Sequence, residues 1–193
     1  MVPRDMDAAS EDADLLMQFA QGDRQAAQIL TDRLAPRILR FAARMLGDRT
    51  EAEDVTQDTM LRLWRIAPDW QDTGIPPAAW VFRVAANLCT DRLRRRRSGP
   101  SEMPDLPDGT PGADTRMMQT TRAAALETAL AALPERQRQA VILRHLEGLS
   151  NPEIAAIMLV GTEAVESLTA RGKRNLAALL SGHKERLGYE DEH

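Results

Sequence analysis

The stretch from Ser98 to Thr115 constrains the fold of this chain more than any other feature. Its sequence, SGPSEMPDLPDGTPGADT, holds four prolines, three glycines and four acidic residues, and offers almost nothing that a core could bury. This composition is typical of an extended, flexible linker, because proline interrupts helices and glycine is costly to order. We therefore expect two small domains, residues 1–97 and 116–193, joined by a linker over residues 98–115.

Both flanking blocks are predicted to be helical, which makes the expected fold class all-α. Apolar residues recur at three- and four-residue spacing, as in Leu30, Leu34 and Ile38, and aromatic residues make up only 4% of the chain. The spacings Thr50–Glu53 and Ser150–Glu153 each fit a capping box at a helix start. Gly47 should end the second helix, and Pro36 predicts a kink or break inside it. The expected helices cover residues 14–20, 24–46, 50–66, 76–96, 117–133, 134–146, 152–158 and 162–180.

Charge is distributed unevenly along the chain. The whole chain carries a net charge of -4, whereas residues 83–97 contain six arginines and one acidic residue. A basic helix end can simply be solvated and favoured by the helix dipole, but this many arginines exceeds what capping requires and favours phosphate binding. Trp70 falls in the loop before this helix, where it is a candidate for stacking on a base, whereas Trp64 and Trp80 are expected in the core.

The last two predicted helices have the proportions of a helix-turn-helix unit, with Ala155 at the helix contact and Val165 turned into the core. Such a unit places its second helix in the DNA major groove, although a plain packing unit has the same proportions. Leu159 occupies the position where a turn glycine often lies, and Gly161 comes two residues later.

Residues for catalysis or for binding a metal or cofactor are not recognisable in the sequence, so we expect neither an enzyme nor a cofactor. The three histidines are scattered, and the single cysteine, Cys89, lies among apolar residues, which predicts a buried and inert thiol. One cysteine cannot form an internal disulfide, so a reducing cytoplasm is the expected location. No apolar run is long enough to span a membrane, and the acidic N-terminus resembles no secretion signal.

Three stretches resemble the extracytoplasmic-function (ECF) sigma factors of bacterial RNA polymerase, group IV of the sigma-70 type. DRTEAEDVTQDTMLRLW (48–64) resembles their second conserved region, and AAWVFRVAANLCTDRLRRRR (78–97) is similar to the helix that they use at the -10 promoter element. ALAALPERQRQAVILRHLEGLSNPEIAAIM (129–158) resembles the start of their fourth region. The resemblance implies a factor that binds core polymerase, recognises the -35 and -10 elements, melts the -10 region and initiates transcription, often in a stress response.

The resemblance also implies contacts with core polymerase. The third helix is similar to the surface that docks on the clamp helices of the largest subunit, and an acidic face there suits a basic partner helix. The polymerase flap is a second expected partner, with no residues assigned to it. The residues implied at the clamp-helix surface are Glu53, Asp54, Gln57, Asp58 and Leu61.

At the -10 element, residues 67–79 are similar to a loop that captures a base flipped out of the DNA strand. Flipping a base costs a few kcal/mol, which stacking and hydrogen bonds in the pocket must offset. Arg83 and Asn87 match polar positions that face the melted strand, and the arginine cluster would hold backbone phosphates. The residues implied at the -10 strand are Trp70, Trp80, Arg83, Asn87, Arg92, Arg94, Arg95, Arg96 and Arg97.

The final helix resembles the one that reads the -35 element, with one departure. Family members commonly carry lysine and arginine early in this helix, whereas this chain has Glu163 and Glu166. A glutamate is repelled by phosphate, but it can accept a hydrogen bond from cytosine N4. The residues implied at the -35 element are Thr162, Glu163, Glu166, Ser167, Arg171, Lys173 and Arg174.

The predicted mechanism is a two-point clamp, in which the C-terminal domain grips -35 duplex and the N-terminal domain traps the -10 single strand. The linker raises affinity by making the second contact intramolecular. The resemblance also implies an anti-sigma factor that covers these surfaces. Two rival hypotheses stay open: a sigma-like decoy that sequesters an anti-sigma factor without binding promoters, and a dimeric helix-turn-helix repressor.

Overall fold

The computed structural model describes residues 4–70, 75–98 and 114–186, and every regular element in these ranges is helical. The α-helices there are α1 (Arg4–Ala20), α2 (Arg24–Leu46), α3 (Arg49–Ile66), α4 (Pro77–Ser98), α5 (Asp114–Ala131), α6 (Glu135–Val141), α7 (Asn151–Met158) and α8 (Thr162–Arg186). A 3-10 turn, Ala67–Asp69, follows α3, and a π-helical turn, Ile142–Leu146, extends α6. The all-α prediction with two helical domains is confirmed, while residues 99–113 of the predicted linker lie outside the described residues.

The ends of α2 follow from local chemistry. Asp23 caps its start, with a carboxylate oxygen that accepts a hydrogen bond from the Gln25 backbone N–H at 2.8 Å. Gly47 ends it as predicted, in the left-handed conformation (φ 67°) that glycine adopts without strain. The helix continues through Pro36 without a break, and Leu34 and Ile38 on either side are buried. Core packing around the proline therefore outweighs the hydrogen bond that it cannot make.

The predicted capping box at Thr50 and Glu53 is wrong. Helix α3 begins at Arg49, because Asp48 has extended backbone and its carboxylate accepts from the Glu51 backbone N–H at 2.9 Å. Glu53 pairs instead with Arg49, four residues before it, at 3.0 Å. A stronger capping residue two positions upstream thus decides where the helix begins.

The first domain packs α1, α3 and α4 around α2. Phe41 of α2 and Phe82 of α4 meet edge to face with ring centroids 5.6 Å apart, and both are fully buried. Trp64 of α3 lies edge to face with Phe19 of α1 at 4.8 Å. This core leaves one side of α3 and one side of α4 to face outward, which positions the candidate sites.

In the second domain α7 and α8 form the predicted pair of helices around a tight turn. Ser150 and Glu153 form the predicted capping box at the start of α7. Leu159 ends α7 in the left-handed conformation (φ 54°), and its N–H donates to the Ala155 carbonyl. Val165 of α8 is fully buried, as the helix-turn-helix pattern predicts. Gly172 lets α8 lie close to α6, since a Cβ there would stand 2.6 Å from the Val141 side chain.

The two domains pack against each other, which nothing in the sequence pattern predicts. Helix α4 contacts α7, and α2 contacts α5, α6 and the π-helical turn. The buried apolar residues of both domains form one continuous cluster. The side chain of Arg138 in α6 crosses this seam and donates to the Met45 carbonyl at the end of α2 at 2.9 Å.

Candidate polymerase and nucleic-acid interfaces

The outer side of α3 brings together all five residues predicted to contact the clamp helices. Glu53, Asp54, Gln57, Asp58 and Leu61 are exposed. The opposite side, which includes Ala52, Val55 and Leu63, is fully buried in the domain core. Leu61 is 44% exposed although it is apolar, and it lies one helical turn from Asp58 and two turns from Asp54. The helix therefore presents an acidic surface with an apolar side chain, as expected for docking on a basic partner helix.

The two tryptophans predicted at the -10 site contact each other. Trp70 and Trp80 lie edge to face with centroids 6.1 Å apart, and both are half-buried against the core. Trp70 is therefore fixed at the edge of the core rather than projecting from the loop. Residues 71–74 of the predicted base-capturing loop lie outside the described residues. Each tryptophan keeps part of its surface in solvent, which is the part that a base could reach.

Helix α4 carries the predicted polar residues of the -10 site along one side. Trp80, Arg83 and Asn87 follow at helical spacing, with Arg83 half-buried and Asn87 exposed. The other side of α4, including Ala85 and Cys89, is buried. A strand lying along the outer side of α4 would meet an indole, a guanidinium and an amide in succession.

The arginine cluster at the end of α4 is divided between protein contacts and solvent. Arg92 donates to the Glu51 carbonyl at 2.7 Å, and Arg96 donates to the Leu46 carbonyl at 2.8 Å. Arg96 also pairs with the Glu51 carboxylate at 3.0 Å. These two arginines hold the end of α4 against α2 and α3. The Leu46 carbonyl lies at the end of α2, where carbonyls lack helical partners and attract cations, and the Glu51 carboxylate lies at the start of α3.

The other three arginines of the cluster point elsewhere. Arg94 pairs with Asp91 of its own helix at 3.0 Å, and Arg97 pairs with Glu135 of α6 in the second domain. Arg95 is exposed and makes no ion pair with any residue that the structure describes. Arg94 and Arg95 thus form the part of the cluster that solvent, or a phosphate, can reach most directly.

Helix α8 presents the predicted -35 residues on its outer side. Thr162, Glu163, Glu166, Ser167, Arg171, Lys173 and Arg174 are all exposed. Their contacts are local: Arg171 donates to the Ser167 hydroxyl at 2.8 Å, and Asn151 of α7 donates to the Glu166 carboxylate at 3.3 Å. Asn151 therefore orients the glutamate that departs from the family pattern, an interaction that the sequence did not reveal.

A groove between α5, the π-helical turn and α8 was not predicted from the sequence. Its volume is about 210 Å³, and its walls are leucine and valine side chains with His145 and Lys173 at the rim. Burial, and the nearby Lys173 and Arg144, lower the pKa of His145, so its imidazole is neutral at pH 7. An apolar groove is the kind of surface on which the apolar side of a partner helix can bind. The apolar residues that line it are Leu126, Leu130, Val141, Leu146 and Leu176.

The described part of the chain holds no cluster of metal ligands and no membrane-spanning helix. No three histidine, cysteine or acidic side chains lie close enough together there to hold a metal ion. No helix in that part is long and apolar enough to cross a membrane.

Comparisons with known proteins agree with this geometry. The family Sigma-70 region 2 matches residues 30–99, and Sigma-70, region 4 matches residues 123–176. The ECF RNA polymerase sigma factor SigM of Mycobacterium tuberculosis is 35% identical over 170 residues, covering 88% of this chain and 84% of SigM. SigE of Mycolicibacterium smegmatis is 36% identical over 173 residues, covering 85% of this chain and 66% of SigE.

The RNA polymerase sigma factor CnrH of Cupriavidus metallidurans is 30% identical over 190 residues, covering 91% of this chain and 98% of CnrH. The solved structure of CnrH in complex with the cytosolic domain of CnrY superposes with a TM-score of 0.70 and covers 89% of this chain and 98% of that chain. The fold, together with the family matches over both helical domains, defines a two-domain transcription initiation factor of the sigma-70 type. Within that class, the chain belongs to the ECF sigma factors.

Proposed function

We propose that this sigma factor directs core RNA polymerase to promoters by gripping the -35 element as duplex and the -10 element as a single strand. One observation carries the proposal: α3, α4 and α8 each keep an outward side of polar residues, while their other sides build the core. These sides hold most of the residues that the resemblance assigns to polymerase and promoter. The exceptions are Trp70, which follows the 3-10 turn after α3, and Arg92 and Arg96, which donate to carbonyls of other helices. No enzymatic step is required, since binding energy to the displaced strand drives melting.

Polymerase is held at two places under this proposal. The acidic side of α3, centred on Asp54 and Leu61, docks on the clamp helices of the largest subunit. The apolar groove between α5 and α8 receives a helix of the flap, with Lys173 at its rim. Two separated contacts on one partner raise affinity through effective concentration.

At the -10 element the exposed edges of Trp70 and Trp80 stack on unpaired bases, and Asn87 hydrogen-bonds the strand. Arg94 and Arg95 hold its phosphates directly. Arg92 and Arg96 act mainly by fixing the end of α4, which sets the position of the other two arginines. At the -35 element, Arg171 and Arg174 contact phosphates, and Glu166, oriented by Asn151, accepts a hydrogen bond from a cytosine.

A protein partner regulates the factor in this proposal. CnrH, which is similar along nearly its whole length, has been solved with the cytosolic domain of CnrY bound. We infer that an anti-sigma factor likewise covers the polymerase- and DNA-binding sides of this chain. We place the protein in the cytoplasm, where polymerase and promoter DNA are found.

Run-off transcription with purified core polymerase tests the proposal. The double variant Arg94→Ala, Arg95→Ala should lower open-complex formation about tenfold or more and should reduce the slope of log K against log salt by about 2. Binding to core enzyme without DNA should stay unchanged, because α3 is intact. The matched control is Arg24→Ala, Arg136→Ala, which removes the same charge from exposed positions outside the proposed sites.

Two results would contradict the proposal. A wild-type protein that binds core enzyme but yields no specific transcript would identify a decoy rather than an initiation factor. Equal losses in the Arg94/Arg95 variant and its control would show that these arginines act only through net charge.

A further inference from the structure

Glu166 lies on the outer side of α8 with no cation at helical spacing. The residues three and four positions away carry no positive charge: they are Thr162, Glu163, Thr169 and Ala170. Glu166 is exposed, and the structure describes one side-chain contact for it, a hydrogen bond donated by Asn151 of α7. In the described part of the chain this carboxylate is therefore held by an amide rather than by a counter-charge.

Asn151 belongs to a rigid part of the fold. It is the first residue of α7, whose start is fixed by a capping box in which the Ser150 backbone N–H donates to the Glu153 carboxylate at 2.8 Å. Ile154, one turn further along, is fully buried. The Asn151 amide donates to Oε1 of Glu166 at 3.3 Å, and the positive end of the α7 dipole favours a carboxylate at this place. Helix α7 therefore fixes the position of a side chain that belongs to α8.

This hydrogen bond occupies one of the two carboxylate oxygens of Glu166. Oε1 accepts from Asn151, and among the described residues no donor is bonded to Oε2. Arg171, the next cation along α8, donates to the Ser167 hydroxyl at 2.8 Å and to the Ser167 carbonyl at 3.3 Å. Its guanidinium is thereby held against Ser167, and Oε2 of Glu166 stays an acceptor of fixed position on the outer side of α8.

An acceptor without a donor at this place affects different DNA sequences differently. A carboxylate repels phosphate and therefore weakens binding to every duplex. In the major groove cytosine offers the N4 amino group as a donor, whereas guanine and thymine offer acceptor oxygens, and adenine has its N6 donor beside the N7 acceptor. Cytosine is the base whose edge best offsets the repulsion. The glutamate thus lowers affinity for DNA in general and restores it at one base.

We propose that Asn151 sets the base specificity of the -35 site from outside the reading helix. By holding Oε1 of Glu166 it aims Oε2 at the N4 amino group of one cytosine, and it lowers the entropic cost of ordering a free glutamate side chain on the DNA. Asn151 is a positioning residue, and Glu166 is the residue that touches the base. The inference rests on the function proposed above and adds to it that the choice of base depends on a residue of α7.

Holoenzyme assembled from the full-length protein and core polymerase tests this assignment. The natural -35 element is first identified by sequencing the genomic fragments that wild-type holoenzyme retains, and each of its positions is then replaced by every other base. The specificity at a position is the ratio of the Kd values for the substituted and the natural element. The variants are Asn151→Ala, Asn151→Asp and Glu166→Ala. The matched control is Asn175→Ala, which removes another amide of α8 that donates to a neighbouring helix, to Gln137 at 2.8 Å.

The expected effect is confined to one cytosine of the -35 element. Wild-type holoenzyme and the Asn175→Ala control should discriminate against thymine there about tenfold, and Glu166→Ala should reduce the ratio to roughly one. Asn151→Ala should reduce it to about two- to threefold, because the glutamate is no longer ordered. In the Glu166→Ala background, Asn151→Ala should have no further effect on the ratio.

Asn151→Asp separates the positioning role from a structural one. Aspartate has nearly the same shape as asparagine and favours the start of a helix, so α7 should remain folded. Its carboxylate repels that of Glu166 instead of donating to it, so the preference for cytosine should be lost.

A single methyl group on the DNA provides a second arm. In N4-methylcytosine paired with guanine, the methyl group replaces the hydrogen that faces the major groove, so the donor is lost without a change of base pair. The affinity of wild-type holoenzyme should fall about tenfold, whereas Glu166→Ala should not respond to the methyl group.

Three results would overturn the inference: a cytosine preference that persists in Glu166→Ala, one that both Asn151 variants leave at the wild-type value, or a -35 element in which no position prefers cytosine. If wild-type holoenzyme retains no specific fragment, the proposed function itself is wrong. That failure is distinct from a functional factor that reads its -35 element without this pair.

Discussion

Helices α4 and α8 are both proposed to bind DNA, yet their charged side chains are held in different ways. At the end of α4, Arg92 and Arg96 donate to carbonyls of other helices, and Arg97 pairs across the domain seam. On α8, Arg171 donates to the carbonyl and the hydroxyl of Ser167 one turn away. The number of arginines at the end of α4 therefore overstates its binding surface, whereas the charged side chains of α8 between Glu163 and Arg174 are all exposed.

The difference arises from what surrounds each helix. The end of α4 lies beside the carboxyl end of α2, where carbonyls without helical partners accept from guanidinium groups. On the outer side of α8, Glu166 accepts from Asn151 at the start of α7, and Arg171 bonds within its own helix. The arginines at the end of α4 that contact other helices stabilise the fold. The exposed charged side chains of α8 remain available to bind a ligand.

The largest contrast between the two helices is expected in thiol reactivity. Burial raises the pKa of Cys89 on α4 to about 12, although the nearby Arg92 lowers it. Compared with a thiol of ordinary pKa 9, about a thousandfold less thiolate is present at pH 8. Cys89 should react with a disulfide reagent at least about a thousandfold more slowly than a thiol placed on α8 by Ser167→Cys in a Cys89→Ala background.

The rate for Cys89 should rise tenfold per pH unit, because pH 8 is below its pKa. Comparable rates for the two thiols would show that α4 is not enclosed.

Arg96→Ala on α4 should lower the free energy of unfolding more than Arg171→Ala on α8. The substitution leaves the Leu46 carbonyl and the Glu51 carboxylate without their partner, so the free energy of unfolding should fall by about 1–3 kcal/mol. Arg171→Ala on α8 removes only an exposed local contact and should change it by less than about 0.5 kcal/mol. Urea denaturation of both variants measures the difference. Equal losses in the free energy of unfolding would show that Arg96 contributes no more to stability than the exposed Arg171 does.

The smallest effect concerns the turns that position the helices. Gly47 ends α2 and Leu159 ends α7, both in the left-handed conformation, but only the leucine is strained by it. Leu159→Gly should raise the free energy of unfolding by up to about 1 kcal/mol, because Leu159 is 65% exposed and contributes little burial. Gly47→Ala should lower it by a similar amount. A loss of stability in Leu159→Gly would mean that the leucine makes contacts outweighing its strain.

Much of the candidate site could be predicted from the sequence, since helical periodicity fixes which residues share a side. The sets on α3 and α8 were implied by the family resemblance, and the structure exposes them as helical spacing allows. The burial of Val165 and Cys89 and the capping box at Ser150 were predicted from the residues themselves. Spacing did not separate the cap at Asp48 from the false one at Thr50, because both positions carry capping residues and their competition depends on backbone geometry.

The sequence by itself determined the helices, their amphipathic sides and the division into two domains, because each depends on residues within a few turns of one another. Tertiary structure alone decided which arginines are structural, how Trp70 meets Trp80, and that Glu147 is buried against the other domain. Arg96 and the carbonyl that it caps are 50 residues apart, and Arg138 and its partner are 93 apart. Contacts at such separations depend on how whole helices pack, and no local pattern records that arrangement.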